Sequence, residues 1–211
     1  MLTIWGRATS LNVQAVMWTV AELNLPHRRI DWGGRFGGND DVDYRRMNPN
    51  GLIPTIRDGD VVVWESPAIV RYLGARYGRG DFWAEDPGAR APLDMWAEWA
   101  RSSFYPALGR IFQQLVRTRE AERDMTEVAA GAEALIALLP RLDARIGDGP
   151  WLCGQHPCFA DVMVGHLLYR YMTLDFVRGP TPAIDRWYAR LTARPAYAEH
   201  VMVSYESLRP T

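Results

Sequence analysis

The chain of 211 residues is 48% hydrophobic and 23% charged, and its 24 basic and 25 acidic side chains leave a formal net charge of −1. This balance creates no single-sign field, and no apolar run approaches the roughly 20 residues of a spanning helix, so neither nucleic acid nor a membrane is expected as a partner. Two cysteines are too few for a disulfide framework or a zinc site, and without a recognisable secretory signal we expect a cytoplasmic protein with no metal centre.

In roughly the first 80 residues, short apolar strands alternate with helical stretches. Apolar residues recur at helical spacing from Asn12 until Pro26 ends the helix. The Asp58-Gly59 dipeptide between two apolar runs indicates a hairpin. Pro67 suits the first turn of a helix opened by Ser66, because its missing N–H needs no partner there. The expected elements are a strand at 2–5, a helix from 12, a strand at 28–31, a glycine-rich loop at 33–38, a short helix at 40–47, strands at 52–56 and 61–63, and a helix from 66.

Beyond Gly80 the pattern is helical throughout. Long amphipathic stretches lie at 90–122 and 127–146, and shorter ones at 161–171 and 184–192, with no convincing strand between them. His166 lies among apolar residues and is expected as a hydrogen-bonded core residue. We therefore predict an α/β + all-α chain, in which a βαβαββα domain at 1–78 is joined by a linker at 79–88 to an all-helical domain at 89–211.

Three motifs extend over nearly the whole chain. They are Gly6-Arg7-Ala8-Thr9-Ser10-Leu11-Asn12-Val13-Gln14, then Asn48-Pro49-Asn50-Gly51-Leu52-Ile53-Pro54 with Trp64-Glu65-Ser66-Pro67-Ala68-Ile69, and Gly154-Gln155-His156-Pro157-Cys158-Phe159-Ala160-Asp161. Together they resemble the cytosolic glutathione transferase superfamily, and in particular its serine-type theta-like and bacterial members. The resemblance implies a thioredoxin-like first domain that binds glutathione as co-substrate, a helical domain that binds an electrophile, a homodimer, and a role in detoxification.

The resemblance also implies how glutathione would be held. Pro54 would follow a cis peptide bond that turns the main chain of Ile53 toward an extended peptide. Ser66, at a helix start with unpaired N–H groups, would take the γ-glutamyl carboxylate, and Glu65 would take the ammonium. The alternative is a plain turn proline followed by an N-cap serine, which as a cap contributes about 1 kcal/mol.

The position before Ile53 departs from the pattern. Many relatives carry Lys, Arg or Gln there to hold the glycine carboxylate of glutathione, whereas this chain has Leu52. Arg35 or Asn39 in the glycine-rich loop is the expected replacement. The alternative is that both are solvated loop residues.

Ser10 is the expected thiolate-stabilising residue. It lies near the start of the first helix, where a hydroxyl donor and the positive end of the helix dipole would both stabilise a negative sulfur. Asn12 is the second candidate and Thr9 the third. The alternative is that Ser10 or Asn12 only caps the helix.

The resemblance places the electrophile site at Arg7 in the first loop and at Ser103 and Phe104 on the first long helix, although aromatic residues at helical spacing more often belong to a core. Cys158 stands where relatives carry a Ser or Thr helix cap. The predicted function is transfer of the glutathione thiolate to small apolar electrophiles. The alternatives are a glutathione-dependent disulfide or peroxide reductase and a non-catalytic binding module.

Overall fold

The computed structural model describes residues 1–210 and has the predicted fold class, a four-stranded sheet with helices followed by an all-helical part. The elements of the first part are β1 (Leu2–Trp5), α1 (Leu11–Glu22), β2 (His27–Ile30), α2 (Val42–Met47), β3 (Thr55–Asp58), β4 (Val61–Trp64) and α3 (Ser66–Tyr77). The strand order is β2-β1-β3-β4, with β1 parallel to β2 and antiparallel to β3. Ile4 and Ile56 face each other in the central pair and are fully buried.

One predicted strand begins later than expected. The sequence places it at 52–56, whereas β3 begins at Thr55. Pro54 has no N–H to donate to a strand ladder. The carbonyl of Leu52 is engaged by side chains, accepting from Tyr44 Oη (2.6 Å) and Asn48 Nδ2 (2.8 Å). Residues 52–54 therefore form a braced loop before the strand.

The second part contains seven α-helices among the described residues. They are α4 (Pro87–Trp99), α5 (Tyr105–Phe112), α6 (Met125–Ile146), α7 (Phe159–Gly165), α8 (Leu168–Thr173), α9 (Pro182–Thr192) and α10 (Pro195–His200). π-Helical turns at 100–104 and 113–117 follow α4 and α5, so the first long helical stretch ends at Arg117, earlier than the predicted 122. Within residues 1–210, none of the helices combines the length and apolar character needed to span a bilayer.

Helix α1 is buried on two sides. Val16 and Val20 pack in the core beneath the sheet, while Trp18 packs in the core of the helical part. The Trp18 ring meets Tyr197 edge-on at 4.9 Å, and a Cβ at Gly165 would lie 3.0 Å from its Cη2 atom. An apolar surface all around a helix is expected only where both sides are covered. Helix α1 thus joins the two cores.

A partly buried ion pair holds the C-terminal end of α1. The Glu22 carboxylate, with its side chain 9% exposed, accepts from Arg194 Nε at 2.9 Å and from Arg194 Nη2 at 2.5 Å. It also accepts from Trp18 Nε1 at 2.8 Å. Arg194 precedes α10, so this bidentate pair ties the C-terminal end of α1 to the helical part.

His166 is a buried, hydrogen-bonded residue, as predicted. Its Nδ1 lies 3.0 Å from the carbonyl of Val162, one helical turn earlier. Burial lowers the pKa of His166 to about 4, and the nearby positive charges of Arg170 and Arg101 act in the same direction. The folded protein therefore holds this imidazole neutral.

We predict that His166 makes the protein less stable in mild acid. Its pKa is lower in the folded than in the unfolded chain, so the unfolded chain binds more protons between about pH 6.5 and pH 4. The free energy of unfolding should fall as the pH drops through this window, by about 2 kcal/mol for this residue at pH 4.5. The free energy of unfolding, measured with urea at pH 7 and at pH 4.5, should differ less between the two pH values in His166→Gln than in the wild type. An equal difference would assign the acid sensitivity to other groups.

Candidate functional site

The loop between β1 and α1 has all its carbonyls engaged. Those of residues 6–9 accept, in order, from Arg29 Nη1 (2.8 Å), the N–H of Ser10 (3.1 Å), Gln14 Nε2 (3.1 Å) and Arg170 Nη2 (2.9 Å). The donors come from β2, from the N-cap and first turn of α1 and, through Arg170, from α8 in the helical part. A loop whose carbonyls are all paired presents Ser10 in one orientation.

Ser10 is the N-cap of α1, with extended backbone angles (φ −81°, ψ 122°). Its carbonyl accepts from the N–H of Gln14, but its half-buried side chain makes no capping hydrogen bond. Within residues 1–210 the hydroxyl has no hydrogen-bond partner. The residue therefore combines the position of a cap, at the positive end of the helix, with a free donor.

The two competing donors lie on either side of Ser10. Thr9 lines an open cleft, whereas Asn12 lines a narrow crevice that it shares with Ser66 and Pro67. Asn12 is thus placed toward the start of α3, and Thr9 is placed toward the cleft. Ser10 lies between them along the chain.

The Ile53–Pro54 peptide bond is cis, as the sequence predicts. Tyr44 on α2 and Asn48 at its C-terminal end brace this loop, because each bonds the carbonyl of Leu52 and also Thr55 Oγ1, at 2.9 and 3.0 Å. The N–H and C=O of Ile53 have no backbone partner in the described part of the chain. An extended peptide could pair with them as an additional strand does.

Glu65 has an unusual backbone conformation. Its φ is +67°, one of two positive values at non-glycine residues within 1–210, and this conformation costs roughly 1–3 kcal/mol. The sequence suggests Ser66 as a possible N-cap, but the structure assigns the cap to Glu65 and makes Ser66 the first helical residue. Ser66 is 5% exposed, and the Glu65 carboxylate lies half-exposed, 3.9 Å from Arg101 Nη2. The positive φ of Glu65 thus places its carboxylate beside the N–H groups at the start of α3, which have no partner within the helix.

The glycine-rich loop brings Asn39 and Arg7 next to Ile53. A Cβ at Gly33 would lie 3.1 Å from Asn39 Oδ1, 3.1 Å from Ile53 Cδ1 and 3.3 Å from Arg7 Nη1. Asn39 Oδ1 is buried without a partner among the described residues. Leu52 is 58% exposed and offers no donor for a carboxylate.

Arg35, Arg7 and Thr9 line a cleft of about 380 Å³ between this loop and the helical part. Its other walls are Ala8, Arg29, Asp31, Gly34, Phe36, Arg117, Ser207 and Leu208. Sequence reasoning misses Arg117, Ser207 and Leu208, which reach the cleft only through folding. Of the two predicted residues on the long helix, Ser103 is half-buried, and Phe104 is fully buried against Trp99 and Tyr171.

The two cysteines and Asp161 form a separate cluster at the start of α7. Cys153 and Cys158 are joined by a disulfide, an arrangement the sequence analysis does not anticipate. The Asp161 carboxylate accepts from the N–H of Leu152 (2.9 Å) and of Cys158 (3.0 Å), and burial raises its pKa to about 7. With these atoms committed to each other and to the backbone, the cluster contributes to folding of the helix start.

Comparisons with known proteins cover both parts of the chain. Residues 9–76 match the family described as glutathione S-transferase, N-terminal domain, and residues 103–195 match glutathione S-transferase, C-terminal domain. Glutathione S-transferase GstB of Escherichia coli (strain K12) is 40% identical over 205 residues, which are 96% of this chain and 99% of that protein. Glutathione S-transferase 3 of Zea mays is 30% identical, over 95% and 93% of the two chains.

A solved structure extends the likeness to three dimensions. It is the theta class glutathione S-transferase of Xanthomonas axonopodis pv. citri with glutathione bound, which is 41% identical with a TM-score of 0.91. The match covers 97% of this chain and 98% of that one.

Proposed function

This chain belongs to the glutathione S-transferase family and is a glutathione transferase with glutathione as its co-substrate, and we propose that Ser10 stabilises the thiolate which attacks a small electrophile. The observation that carries this proposal is the free hydroxyl of Ser10 at the N-cap of α1. Detoxification of small, largely apolar electrophiles in the cytoplasm is the role we propose, with Phe36 and Leu208 as apolar walls of the cleft.

The thiol loses its proton to solvent, and the Ser10 hydroxyl then donates a hydrogen bond to the sulfur. The N-terminal end of α1 adds its partial positive charge, as it does for cysteine thiolates at helix starts. The sulfur forms a bond to the electrophilic carbon, and the leaving group departs with the electron pair of the bond that breaks. The protein contributes a lower thiol pKa and the placement of both reactants.

Glutathione would lie along the braced loop and the start of α3. The main chain of Ile53 would pair with the peptide, Ser66 would hold the γ-glutamyl carboxylate, and Glu65 would hold the ammonium. Arg35 or Asn39 would serve the glycine carboxylate in place of Leu52. The strained backbone of Glu65 supports this assignment, because strain of this kind persists mainly at ligand-binding positions.

Glutathione-dependent disulfide or peroxide reduction is the second candidate, and Asn12 is the residue that favours it. No cysteine stands in the β1–α1 loop, so a protein thiol nucleophile is missing there. Assays with an aryl halide, an epoxide, an organic peroxide and a mixed disulfide distinguish the two activities.

We predict that Ser10→Ala raises the thiol pKa of bound glutathione by about one to two units, because one charge-assisted hydrogen bond contributes roughly 1.5–3 kcal/mol. Turnover near neutral pH should fall while glutathione affinity changes little. The pH dependence of thiolate absorbance measures the pKa, with Asn12→Ala and Thr9→Ala as comparisons. A shift confined to Asn12→Ala would make Asn12 the stabilising residue and Ser10 a cap.

We predict that Glu65→Gln weakens glutathione binding about tenfold or more, since the ammonium loses a charged partner. Glu65→Gly should weaken it similarly and yet raise the free energy of unfolding by about 1 kcal/mol, because glycine adopts a positive φ without strain. Calorimetry and urea unfolding measure the two effects. Asp60→Asn, in the exposed β3–β4 turn, is the charge-matched control. Undiminished affinity in both Glu65 variants would remove this residue from the site.

We predict a homodimer that pairs the first domain of one subunit with the second domain of the other, as the resemblance implies. Exposed apolar residues on both parts support it, with Trp64 on β4 37% exposed and Met95 on α4 70% exposed. Light scattering should give twice the 24.0 kDa mass of one chain. Met95→Lys should shift the equilibrium toward monomer, and Val177→Lys, equally exposed but on the α8–α9 connection, should not. A monomer for the wild type at micromolar concentration would contradict the prediction.

A further inference from the structure

The disulfide between Cys153 and Cys158 lies apart from the residues proposed to bind glutathione. Cys158 is the N-cap of α7, and His166 is the C-cap of the same helix. His166 borders the crevice that Asn12 and Ser66 share. The disulfide is therefore at the opposite end of α7, about 12 Å away along the helix axis at 1.5 Å per residue. Its sulfur atoms have no part in the transfer reaction proposed above.

The main chain around the two cysteines is held by contacts that do not involve sulfur. Asp161 accepts from the N–H groups of Leu152 and Cys158. The carbonyl of Leu152 accepts in turn from Arg145 Nη2 at 2.6 Å. The Cα atoms of Cys153 and Cys158 are 6.1 Å apart, which is within the usual range for a disulfide. Because other groups hold the backbone at this spacing, the bond between the sulfurs can open and form again with little movement of the chain.

The two sulfur atoms differ in their access to solvent. Cys153 is half-buried, whereas Cys158 is fully buried. Thiol–disulfide exchange begins when a thiolate attacks one of the two sulfurs, and the rate depends on access to that sulfur. A thiolate from solution is therefore expected to attack Cys153, with Cys158 as the leaving thiol.

Glutathione is the reagent that such an exchange requires. Disulfides are rare in a reducing cytoplasm, the location proposed for this protein, and those that form there are usually transient. The enzyme uses glutathione as its co-substrate, so a thiol reductant is present wherever the enzyme works. Glutathione disulfide, the oxidised form of the same molecule, is the matching oxidant.

We propose that Cys153 and Cys158 form a thiol–disulfide exchange site for glutathione, separate from the transferase site. In the first step the glutathione thiolate forms a bond to Cys153 Sγ, the disulfide breaks, and its electron pair passes to Cys158 Sγ, which is then protonated. A second glutathione thiolate attacks the sulfur of the bound glutathione, and Cys153 leaves as a thiolate. The protein disulfide gains two electrons, and two glutathione molecules become glutathione disulfide. The reverse sequence oxidises the protein.

The redox state of this pair should affect the stability of the helical part. All seven residues of α7 are buried, and the helix packs against α1, α3 and α4. The disulfide closes the loop 153–158 immediately before this helix, and a closed loop restricts the unfolded chain. For a loop of this length, we expect reduction to lower the melting temperature by about 4–8 °C.

The test equilibrates the protein with glutathione and glutathione disulfide at a series of ratios, alkylates the free thiols and measures the mass of the intact chain. The wild type should change from disulfide to dithiol as the share of glutathione rises. Cys158→Ser should gain one glutathione at Cys153, because no second thiol displaces it. Cys153→Ser should gain none, since its remaining sulfur is buried. Cys158→Ser is expected to fold, because a serine hydroxyl can cap α7.

Melting temperatures in the same buffers test the effect on α7. The wild type should melt about 4–8 °C lower as the dithiol than as the disulfide. Cys153→Ser is the control for glutathione bound elsewhere on the protein, and its melting temperature should be the same in both buffers. An equal change in this variant would assign the effect to the transferase site and reject a role for the disulfide.

Two results in the mass measurements would overturn the exchange site itself. A disulfide that persists in a large excess of glutathione would be a purely structural bond, and thiols that stay free in glutathione disulfide would show that the pair does not oxidise. Equal modification of Cys153→Ser and Cys158→Ser would reject Cys153 as the attacked residue. None of these results depends on Ser10, so they are distinguishable from a failure of the proposed transferase mechanism.

Discussion

The position of α1 between two hydrophobic cores is the constraint on which the site depends. One side of this helix packs under the sheet, while Trp18 packs against Tyr197 in the helical part. The pair of Glu22 with Arg194 ties down its far end. A helix held this way cannot rotate or slide without opening a cavity in one core, and cavities of that kind cost several kcal/mol. The N-terminus of α1, with its partial positive charge, is therefore held in one position. Ser10 is held there with it, because it is the N-cap of this helix.

Several groups near the N-terminus of α1 favour the binding of negative charge. The free hydroxyl of Ser10, the unpaired N–H groups at the start of α3 and the arginines of the cleft all favour anions, whereas Glu65 is the carboxylate available for an ammonium. Glutathione presents two carboxylates, one ammonium and a thiolate, which is the same distribution of charge. The protein maintains this arrangement at a cost, visible in the positive φ of Glu65 and in cations that lack a counterion.

The sequence predicts the parts of this structure that local chemistry decides. Helical spacing and the Asp58-Gly59 turn determine the element order and place Ser10 near the start of α1, whereas the cis bond at Pro54 is predicted from the family resemblance of the motif around it. What it misses depends on distant contacts. Arg117 and Arg170 meet the β1–α1 loop only after the chain has folded, and α10 has only six residues, too few for a periodic signal. The φ of Glu65 escapes prediction because a non-glycine residue is held there by tertiary structure.

The bond from Arg170 to the Thr9 carbonyl joins residues 161 positions apart. It means that the first domain, although it contains Ser10, the cis-proline loop and Glu65, is an incomplete module. A chimaera that combines this domain with the helical part of another relative would keep the elements proposed to bind glutathione but lose the arginine that secures the loop in front of Ser10. Recombination during evolution would face the same restriction. Because the acceptor is a main-chain carbonyl, which any residue at position 9 would offer, exchange of whole domains would preserve this contact only where the incoming partner supplies a buried cation at the position of Arg170.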